Sequence, residues 1–346
     1  MEKTEVINNL EVKEYTEDRH KVWDEFIRTA SRNGGIFQER DFLSYHPEER
    51  FKDASLLFFE KGTLMAVFPA AIISENEKEK VVSHPGSSCG GLIFHNSATL
   101  QQVLEILESL IEYYKTKNID SIEIRLAEPI FHAIPDEELR YLLWHRGFTL
   151  KSQEISTCVK LNEAKMWEKL CRKRNMSYIK QQEKDGVKVV ETDDVDKIYP
   201  VIEMNLKVRY GKTPTHSREE LIRLKEIYPD RIHYWIAEKE DKVLGILVLF
   251  DVNITGVHSF YIAKNEEVEN VKAMPLLFHK AFEHYHKLGF DWFNFGISSR
   301  GQQIKWGILE FKENVGGRAT ARQIWHLDHL TDYIKYEQAP PVVNTH

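Results

Sequence analysis

Three side chains in the second half of the chain have chemistry that could support catalysis. Two of them, His258 and Tyr261, belong to GVHSFYIA, an apolar segment of strand-like composition. A histidine with an ordinary pKa can serve as a general base near neutral pH, and a tyrosine hydroxyl can donate a proton. Histidine and tyrosine in a strand are also common as packed, hydrogen-bonded structural residues, so both interpretations stay open.

The third candidate, Lys312, lies in GILEFKENVGG beside Ile308, Leu309 and Phe311. Such apolar neighbours lower the local dielectric and strengthen the field of a cation. We predict a strand here, in which Glu310 faces the same side as Lys312 and pairs with it. The alternative is a solvated lysine whose pair with Glu310 is a surface ion pair of little energetic weight.

A further group of cations surrounds a Gly/Pro loop in MNLKVRYGKTPTHSREEL, residues 204–221. Arg209, Tyr210 and Lys212 have the composition of a loop that grips an acceptor, and the planar Arg209 guanidinium suits a carboxylate or phosphate. The alternative is a helix C-terminus, where the cations interact favourably with the negative end of the helix dipole. Ser217, followed three residues later by a glutamate, has the spacing of a capping box and predicts the start of a new helix.

Two other motifs are discounted. His279, Glu283 and His286 have the spacing of helical metal ligands, but no second Glu-x-x-His helix accompanies them. We interpret them as the polar face of an amphipathic helix and expect no metal site. Cys89 lies in HPGSSCGG near His84 without the strand-to-helix turn that presents a nucleophile, so this segment predicts a tight turn.

The length, charge and cysteine count of the chain exclude several classes of protein. The 346 residues suffice for two domains, and 47 Lys+Arg against 54 Asp+Glu give a formal charge of −7, which disfavours a wholesale binder of nucleic acid or anionic membrane. Three cysteines without a CxxC pair exclude a disulfide framework. The N-terminal segment is charged, and no apolar run approaches the roughly 18 residues of a membrane span. We therefore expect a cytoplasmic protein with no signal peptide and no membrane span, whose partner is a small molecule or a protein.

Apolar periodicity predicts the same order of elements in both halves of the chain. In the first half these are a helix over 18–32, a hairpin over 56–73, a short strand after the Gly-rich segment at 84–94, a helix over 99–115 and a strand at 121–126. In the second half they are a hairpin over 233–252, a strand over 256–263, a helix over 274–288 and a strand over 291–296. This repetition predicts a tandem duplication of one α/β unit. The predicted parts are an N-terminal domain (1–161), a basic helical connector (162–190), a C-terminal domain (191–335) and a tail (336–346).

Three features between residues 172 and 318 are unusual together: a basic helix before Gly186, a strand ending in DWFNFG, and FKENVGG after it. In these features the chain resembles the FemAB-like branch of the GNAT acyltransferase superfamily, whose members contain two GNAT-type domains in tandem. The resemblance implies an α/β (α+β mixed sheet) fold of two tandem GNAT-like domains. It also implies that an acyl group passes from an activated donor to an amine acceptor without a metal.

The resemblance further implies where the site lies. In a GNAT-like unit a cleft opens where two neighbouring strands splay apart, here GVHSFYIA and DWFNFG of the second unit. The lysine of the FK pair points towards the reaction centre, where its cation can stabilise an oxyanion or hold an acceptor carboxylate. The expected catalytic residues are Lys312, His258 and Tyr261; the expected acceptor contacts are Arg209, Tyr210, Lys212 and Glu310; the expected donor contacts are Lys272, Ala273, Met274 and Ser298.

Two alternative functions stay open. The segment KNEEVENVKAMP stands where ordinary GNAT enzymes carry the pyrophosphate loop Q/R-x-x-G-x-G/A, so a non-catalytic ligand-binding protein on the same scaffold is one alternative. The other is a tRNA-dependent aminoacyltransferase of the peptidoglycan cross-bridge type, because residues 163–188 carry eight Lys/Arg against four Asp/Glu. That basic segment is otherwise a solvated helix face or an attractor of anionic substrates. We expect no bound cofactor, with acyl-CoA as a candidate co-substrate.

Overall fold

The structure is a computed structural model that describes residues 4–7, 9–47, 49–162, 165–268 and 272–335. The predicted tail 336–346 lies outside the described residues, as do two positions of the predicted connector, 163 and 164. The strands are β1 (Thr4–Ile7), β2 (Leu10–Glu14), β3 (Lys52–Asp53), β4 (Leu56–Glu60), β5 (Thr63–Phe68), β6 (Ala71–Glu75), β7 (Lys78–Val82), β8 (Ile93–Phe94), β9 (Ser121–Arg125), β10 (Thr149–Lys160), β11 (Lys188–Thr192), β12 (Ile232–Lys239), β13 (Lys242–Asp251), β14 (Gly256–Lys264), β15 (Trp292–Ile297), β16 (Ser299–Arg300), β17 (Gln303–Ile304) and β18 (Arg318–Leu327).

The helices are α1 (His20–Glu25), α2 (Arg40–Leu43), α3 (Leu100–Thr116), α4 (Glu138–His145), α5 (Met166–Leu170), α6 (Lys173–Lys184), α7 (Val195–Tyr210), α8 (Arg218–Ile227), α9 (Ala273–Lys287) and α10 (Trp306–Asn314). A π-helical turn at Phe26–Ala30 continues α1, and the two together fill most of the helix predicted over 18–32. The helices predicted over 99–115 and 274–288 are confirmed as α3 and α9. The predicted capping box is confirmed at the start of α8, where the Ser217 hydroxyl accepts from the amide of Glu220.

A mixed sheet of eleven strands runs through both halves, in the order β11-β12-β13-β14-β15-β10-β18-β9-β7-β6-β3. The halves exchange strands at its centre. Strand β10 of the first half lies between β15 and β18 of the second, and β18 in turn pairs with β9 of the first. A separate sheet has the order β1-β2-β4-β5-β8. The predicted tandem arrangement is therefore present, with the two units joined into one continuous sheet.

The duplication appears as two matching strand–helix–strand units. The connection from β7 to β9 contains α3, preceded by the short strand β8 of the separate sheet, and α9 connects β14 to β15. Both strand pairs are parallel, with three residue pairs each. The hairpin of β6 and β7 thus occupies the place of β13 and β14. The predicted match between the hairpin over 56–73 and the hairpin over 233–252, which is β12 and β13, is wrong, because the first hairpin supplies β4 and β5 to the separate sheet.

Aromatic side chains fix β15 against α9. Phe278 and Phe282 of the helix lie over Phe295 and Phe293 of the strand, with ring centroids 4.8 and 5.0 Å apart. All four side chains are at most 3% exposed. Each such burial contributes about 1.5–3 kcal/mol. The strand that borders the candidate site therefore rests on a densely packed core.

A buried carboxylate ties the first half to the second. Glu39, which is 1% exposed, accepts a hydrogen bond from Nε of Arg28 at 2.8 Å. Its other partners come from the second half: Nη1 of Arg231 at 2.6 Å and the hydroxyl of Tyr228 at 3.1 Å. This carboxylate is therefore compensated by cations from both sides of the junction.

Among the described residues, the helices are too short or too polar to cross a lipid bilayer.

Candidate active site

A cavity of about 1110 Å³ opens beside the outer part of β14 in the second half. Its walls come from five elements: the C-terminal end of α7 with the loop that follows, strand β14, the start of α9, the end of β15 and the first turns of α10. Asn175 and Tyr178 of α6 complete one side. This is the position where the sequence predicted a cleft.

The cavity exists because β14 and β15 separate. They pair at Gly256–Trp292, Val257–Phe293 and His258–Asn294 and no further. Beyond that point β15 continues along β10, with a shift in register. Gly296 adopts a φ of +76°, a conformation that glycine tolerates without the cost of a side chain. The predicted splay of these two strands is confirmed.

Lys312 lies at the point of separation. Its side chain is 4% exposed, and its ammonium donates to the carbonyl oxygens of Gly296 at 2.8 Å and Ile297 at 2.9 Å. Burial lowers the pKa of this amine to about 7, because the charged form loses its hydration. The side chain also lines the cavity. It is therefore a buried amine, poised between two protonation states near neutral pH, that faces open space.

The strand predicted around Lys312 is wrong, because this segment forms α10. Ile308, Leu309 and Phe311 follow helical spacing, which the short apolar run did not distinguish from a strand. Two residues along a helix turn by about 200°, so Glu310 does not share the face of Lys312. It is largely exposed, lies 3.6 Å from Arg172 and does not line the cavity, so the structure does not support it as an acceptor contact.

Tyr261 lines the cavity and has unusual backbone partners. Its hydroxyl oxygen accepts hydrogen bonds from the amides of Thr215 and His216, both at 3.1 Å. The His216 ring then links Tyr261 to Tyr45 of the first half, through Nδ1 at 3.2 Å and Nε2 at 3.1 Å. Burial raises the pKa of the Tyr261 hydroxyl. This tyrosine is therefore held as a neutral hydroxyl.

His258 does not reach the cavity. Its ring is 9% exposed and packs edge-on against Phe37 of the first half, with centroids 5.5 Å apart. Desolvation by burial lowers its pKa to about 3, so the ring is neutral at pH 7 and a weak base. The general-base role expected for His258 is therefore contradicted by its position.

The predicted acceptor contacts on α7 and its loop come together in the structure. Arg209, Tyr210 and Lys212 all line the cavity. Gly211 ends α7 in the left-handed conformation, with φ +61°, and this turn directs the loop along the cavity wall. The Arg209 guanidinium pairs with Glu266, so part of its hydrogen-bonding capacity is already used.

Only two of the four predicted donor contacts line the cavity. Lys272 and Met274 line the cavity, and the Lys272 ammonium donates to the hydroxyl of Tyr178 at 3.0 Å. Ala273 is 1% exposed and packs in the core. Ser298 is equally buried, and its hydroxyl bonds to that of Thr157 at 2.8 Å. Neither Ala273 nor Ser298 lines the cavity, so both expectations are corrected.

The sequence did not predict two residues, one that lines the cavity and one that contacts Tyr261 from outside it. Ser259 lines the cavity, and its buried hydroxyl has no hydrogen-bond partner among the described residues. A buried hydroxyl of this kind is normally satisfied by water or a ligand. His216 was the other omission, because it stood in a segment that the capping box of α8 already explained.

The cavity wall is strongly cationic. Its described lining residues include no Asp or Glu, and the cations among them are Arg209, Lys212, Lys264, Lys272, Lys305 and Lys312. A concave surface with charges of one sign raises the local concentration of oppositely charged ligands. The cavity is therefore suited to an anionic ligand on a protein whose net charge is −7.

The discounted motifs lie elsewhere. Glu283 approaches His279 on α9, yet its carboxylate is also within 3.8 Å of Lys165 and 3.5 Å of Lys280. Cys89 is buried, and desolvation raises its pKa to about 12, which leaves it a poor nucleophile. Neither group lines the cavity.

The sequence matches no protein-family model, and no curated protein matches it. Solved structures do match. FemX superposes with a TM-score of 0.68 at 12% identity, covering 91% of this chain and 96% of that one. L-PGS from Bacillus licheniformis gives 0.57 at 11% identity, with 94% of each chain covered. A tandem GNAT protein from the clavulanic acid biosynthesis pathway gives 0.52 at 10% identity, covering 92% and 98%. At the level of fold, the predicted FemAB-like, tandem GNAT resemblance is confirmed.

Proposed function

We propose that this protein is an acyltransferase that moves an acyl group from an activated donor to an amine acceptor in the cavity beside Lys312. The observation that carries the proposal is the buried Lys312 amine at the point where β14 and β15 separate. The shared fold with FemX and a tandem GNAT protein supports the same class of reaction. The chain's own residues supply the groups that such a transfer needs.

Lys312 has one hydrogen-bond donor to spare when it is charged. An ammonium carries three N–H groups, and two of them are used by the carbonyls of Gly296 and Ile297. The third can reach into the cavity. When the acceptor amine attacks the donor carbonyl, negative charge develops on the carbonyl oxygen, and a fixed cation in a desolvated site stabilises that charge. We assign this role to Lys312.

Two hydroxyls offer further contacts to the reacting groups. Ser259 has an unused hydroxyl at the cavity wall. Tyr261 accepts two backbone hydrogen bonds, so its own proton is free to donate to His216 or to a bound ligand. In the proposed reaction the N–C bond forms as the bond from the carbonyl to the leaving group breaks, and Tyr261 donates its proton to the leaving group. The attacking nitrogen then gives one of its protons back to Tyr261, which ends as the neutral hydroxyl, while Ser259 orients the acceptor.

The donor is an anion in this proposal, with acyl-CoA as the candidate. Lys264 ends β14 and Lys272 directly precedes α9, and both line the cavity. Lys272 also lies over the Tyr178 ring, 4.1 Å from its centroid. These cations can bind phosphate groups without the Gly-rich loop that the sequence lacks.

Thermal-shift measurements test the donor class. We expect acyl-CoA at about 100 times its dissociation constant to stabilise the folded protein by about 2.7 kcal/mol and to raise its melting temperature by several degrees. Non-specific stabilisation by any anion is controlled with inorganic pyrophosphate at equal concentration. An unchanged melting temperature with saturating acyl-CoA would exclude this donor.

The pH dependence of turnover tests the role of Lys312. With an aromatic amine acceptor that stays neutral throughout, we expect kcat to fall as the pH rises through about 7, because the lowered pKa removes the ammonium there. In Lys312→Arg the remaining activity should lose this dependence, since a guanidinium keeps its charge. A wild-type kcat that rises through the same range would instead make Lys312 a base.

A tRNA-linked donor is the second candidate, favoured by one observation. The basic helix α6 borders the cavity through Asn175 and Tyr178, while most of its lysines face solvent. RNA held by such a face would bind with an affinity that falls steeply as salt increases. Binding of RNA that persists unchanged between low and high salt would remove this alternative.

A further inference from the structure

The α10 side of the cavity presents apolar side chains between two lysines, Lys305 just before the helix and Lys312 within it. Gly307, Ile308, Phe311 and Lys312 are spaced so that they share one face of this helix, and all four line the cavity. Ile304 precedes the helix and also lines it. A continuous apolar surface therefore runs from the Lys312 amine towards the start of α10.

This surface ends at large side chains that are partly exposed to solvent. Trp306, the first residue of α10, is 69% exposed, and Tyr210, the last residue of α7, is 50% exposed. Ile297, at the end of β15, is 41% exposed. All three line the cavity. A cavity lined by both apolar side chains and cations is typical of a site that binds a ligand with both an apolar and an anionic part.

There is free space beside this wall. A methyl group added at Gly307 would meet no heavy atom within 4 Å, so the first turn of α10 borders open volume. The whole cavity, about 1110 Å³, is at the upper end of the range of ligand sites. An acetyl group beside Lys312 would leave most of the α10 wall exposed to water.

We propose that the α10 wall binds the hydrocarbon chain of a medium-chain or longer acyl thioester, which runs from the carbonyl at Lys312 along Ile308 to Trp306. This inference rests on the proposed function and specifies its donor. The cations at Arg209, Lys212, Lys264 and Lys272 lie on the other walls and bind the anionic part of the same molecule. The apolar and charged surfaces of the cavity thus correspond to the two parts of one amphipathic donor.

The experiment compares dissociation constants of acetyl-CoA, octanoyl-CoA and free CoA for the full chain. Burial of six further methylenes should make octanoyl-CoA bind at least about tenfold more tightly than acetyl-CoA. Trp306→Ala should remove most of this preference and change acetyl-CoA binding less than about twofold. Gly307→Phe should also abolish the preference by filling the free space, and its backbone conformation accepts a side chain.

Trp144→Ala is the matched control, because Trp144 on α4 is also 69% exposed but does not line the cavity. It should leave all three constants unchanged. Equal affinity of wild type for acetyl-CoA and octanoyl-CoA would overturn the inference and leave the proposed acyl transfer standing. A Trp306→Ala variant that loses as much affinity for free CoA as for octanoyl-CoA would overturn it as well, since Trp306 would then contact the nucleotide. If none of the three ligands binds, both the inference and the CoA donor fail.

Discussion

Lys312→Ala is expected to lower kcat by about 10²–10³-fold, the usual loss when one preorganised oxyanion donor is removed. The variant should keep the fold, because α10 tolerates alanine and the core that holds β15 consists of aromatic side chains from α9. Steady-state kinetics give the loss, and circular dichroism and the melting temperature check the fold. An equal drop in kcat and kcat/KM would show that the interaction belongs to the transition state.

Glu310→Ala is the control for that experiment. It lies on the same helix, two residues away, but on a different face and outside the cavity. Its turnover should match the wild type. If Lys312→Ala turns over substrate at the wild-type rate, Lys312 has no part in the reaction.

Glu39→Ala is expected to destabilise the protein by about 3 kcal/mol, because the partly buried Arg231 guanidinium and the buried Tyr228 hydroxyl lose the carboxylate to which they donate. The exposed Arg28 guanidinium keeps Asp41 as a partner. Those guanidiniums keep some contact with water, so the lower end of the usual range applies. Urea denaturation measures the change. Asp196→Ala is the control, since the pair of Asp196 with Arg218 is solvated on both sides and its loss should leave the denaturation midpoint in place. Equal urea denaturation midpoints for Glu39→Ala and wild type would show that this carboxylate does not stabilise the contact between the two halves.

The sequence was most informative where apolar patterns are long. The fifteen residues of α9 and the hairpin of β12 and β13 bury wide apolar surfaces, so their periodicity predicted them directly. Strand β7 was missed because Lys78 and Lys80 interrupt a run of five residues. The strand exchange could not be predicted at all, because Thr149 of β10 pairs with His326 of β18, and such distant pairings leave no local pattern.

The sequence predicted some residues of the candidate site correctly and others wrongly, for a similar reason. The family resemblance implied both the position of the cavity, between GVHSFYIA and DWFNFG, and the place of Lys312 beside it. What a side chain faces depends on packing between distant segments. His258 is enclosed by Phe37, which comes from the other half of the chain, and Ser298 is held by Thr157. No pattern within GVHSFYIA or DWFNFG records either neighbour.

The most direct test is a crystal structure of the protein with a non-hydrolysable octanoyl-CoA analogue. We predict that the analogue's carbonyl oxygen lies within about 3 Å of the Lys312 amine, as a charge-assisted hydrogen bond requires, with the strands of the sheet unmoved. An analogue bound outside the cavity, or a carbonyl turned away from Lys312 while the site is saturated, would contradict the account.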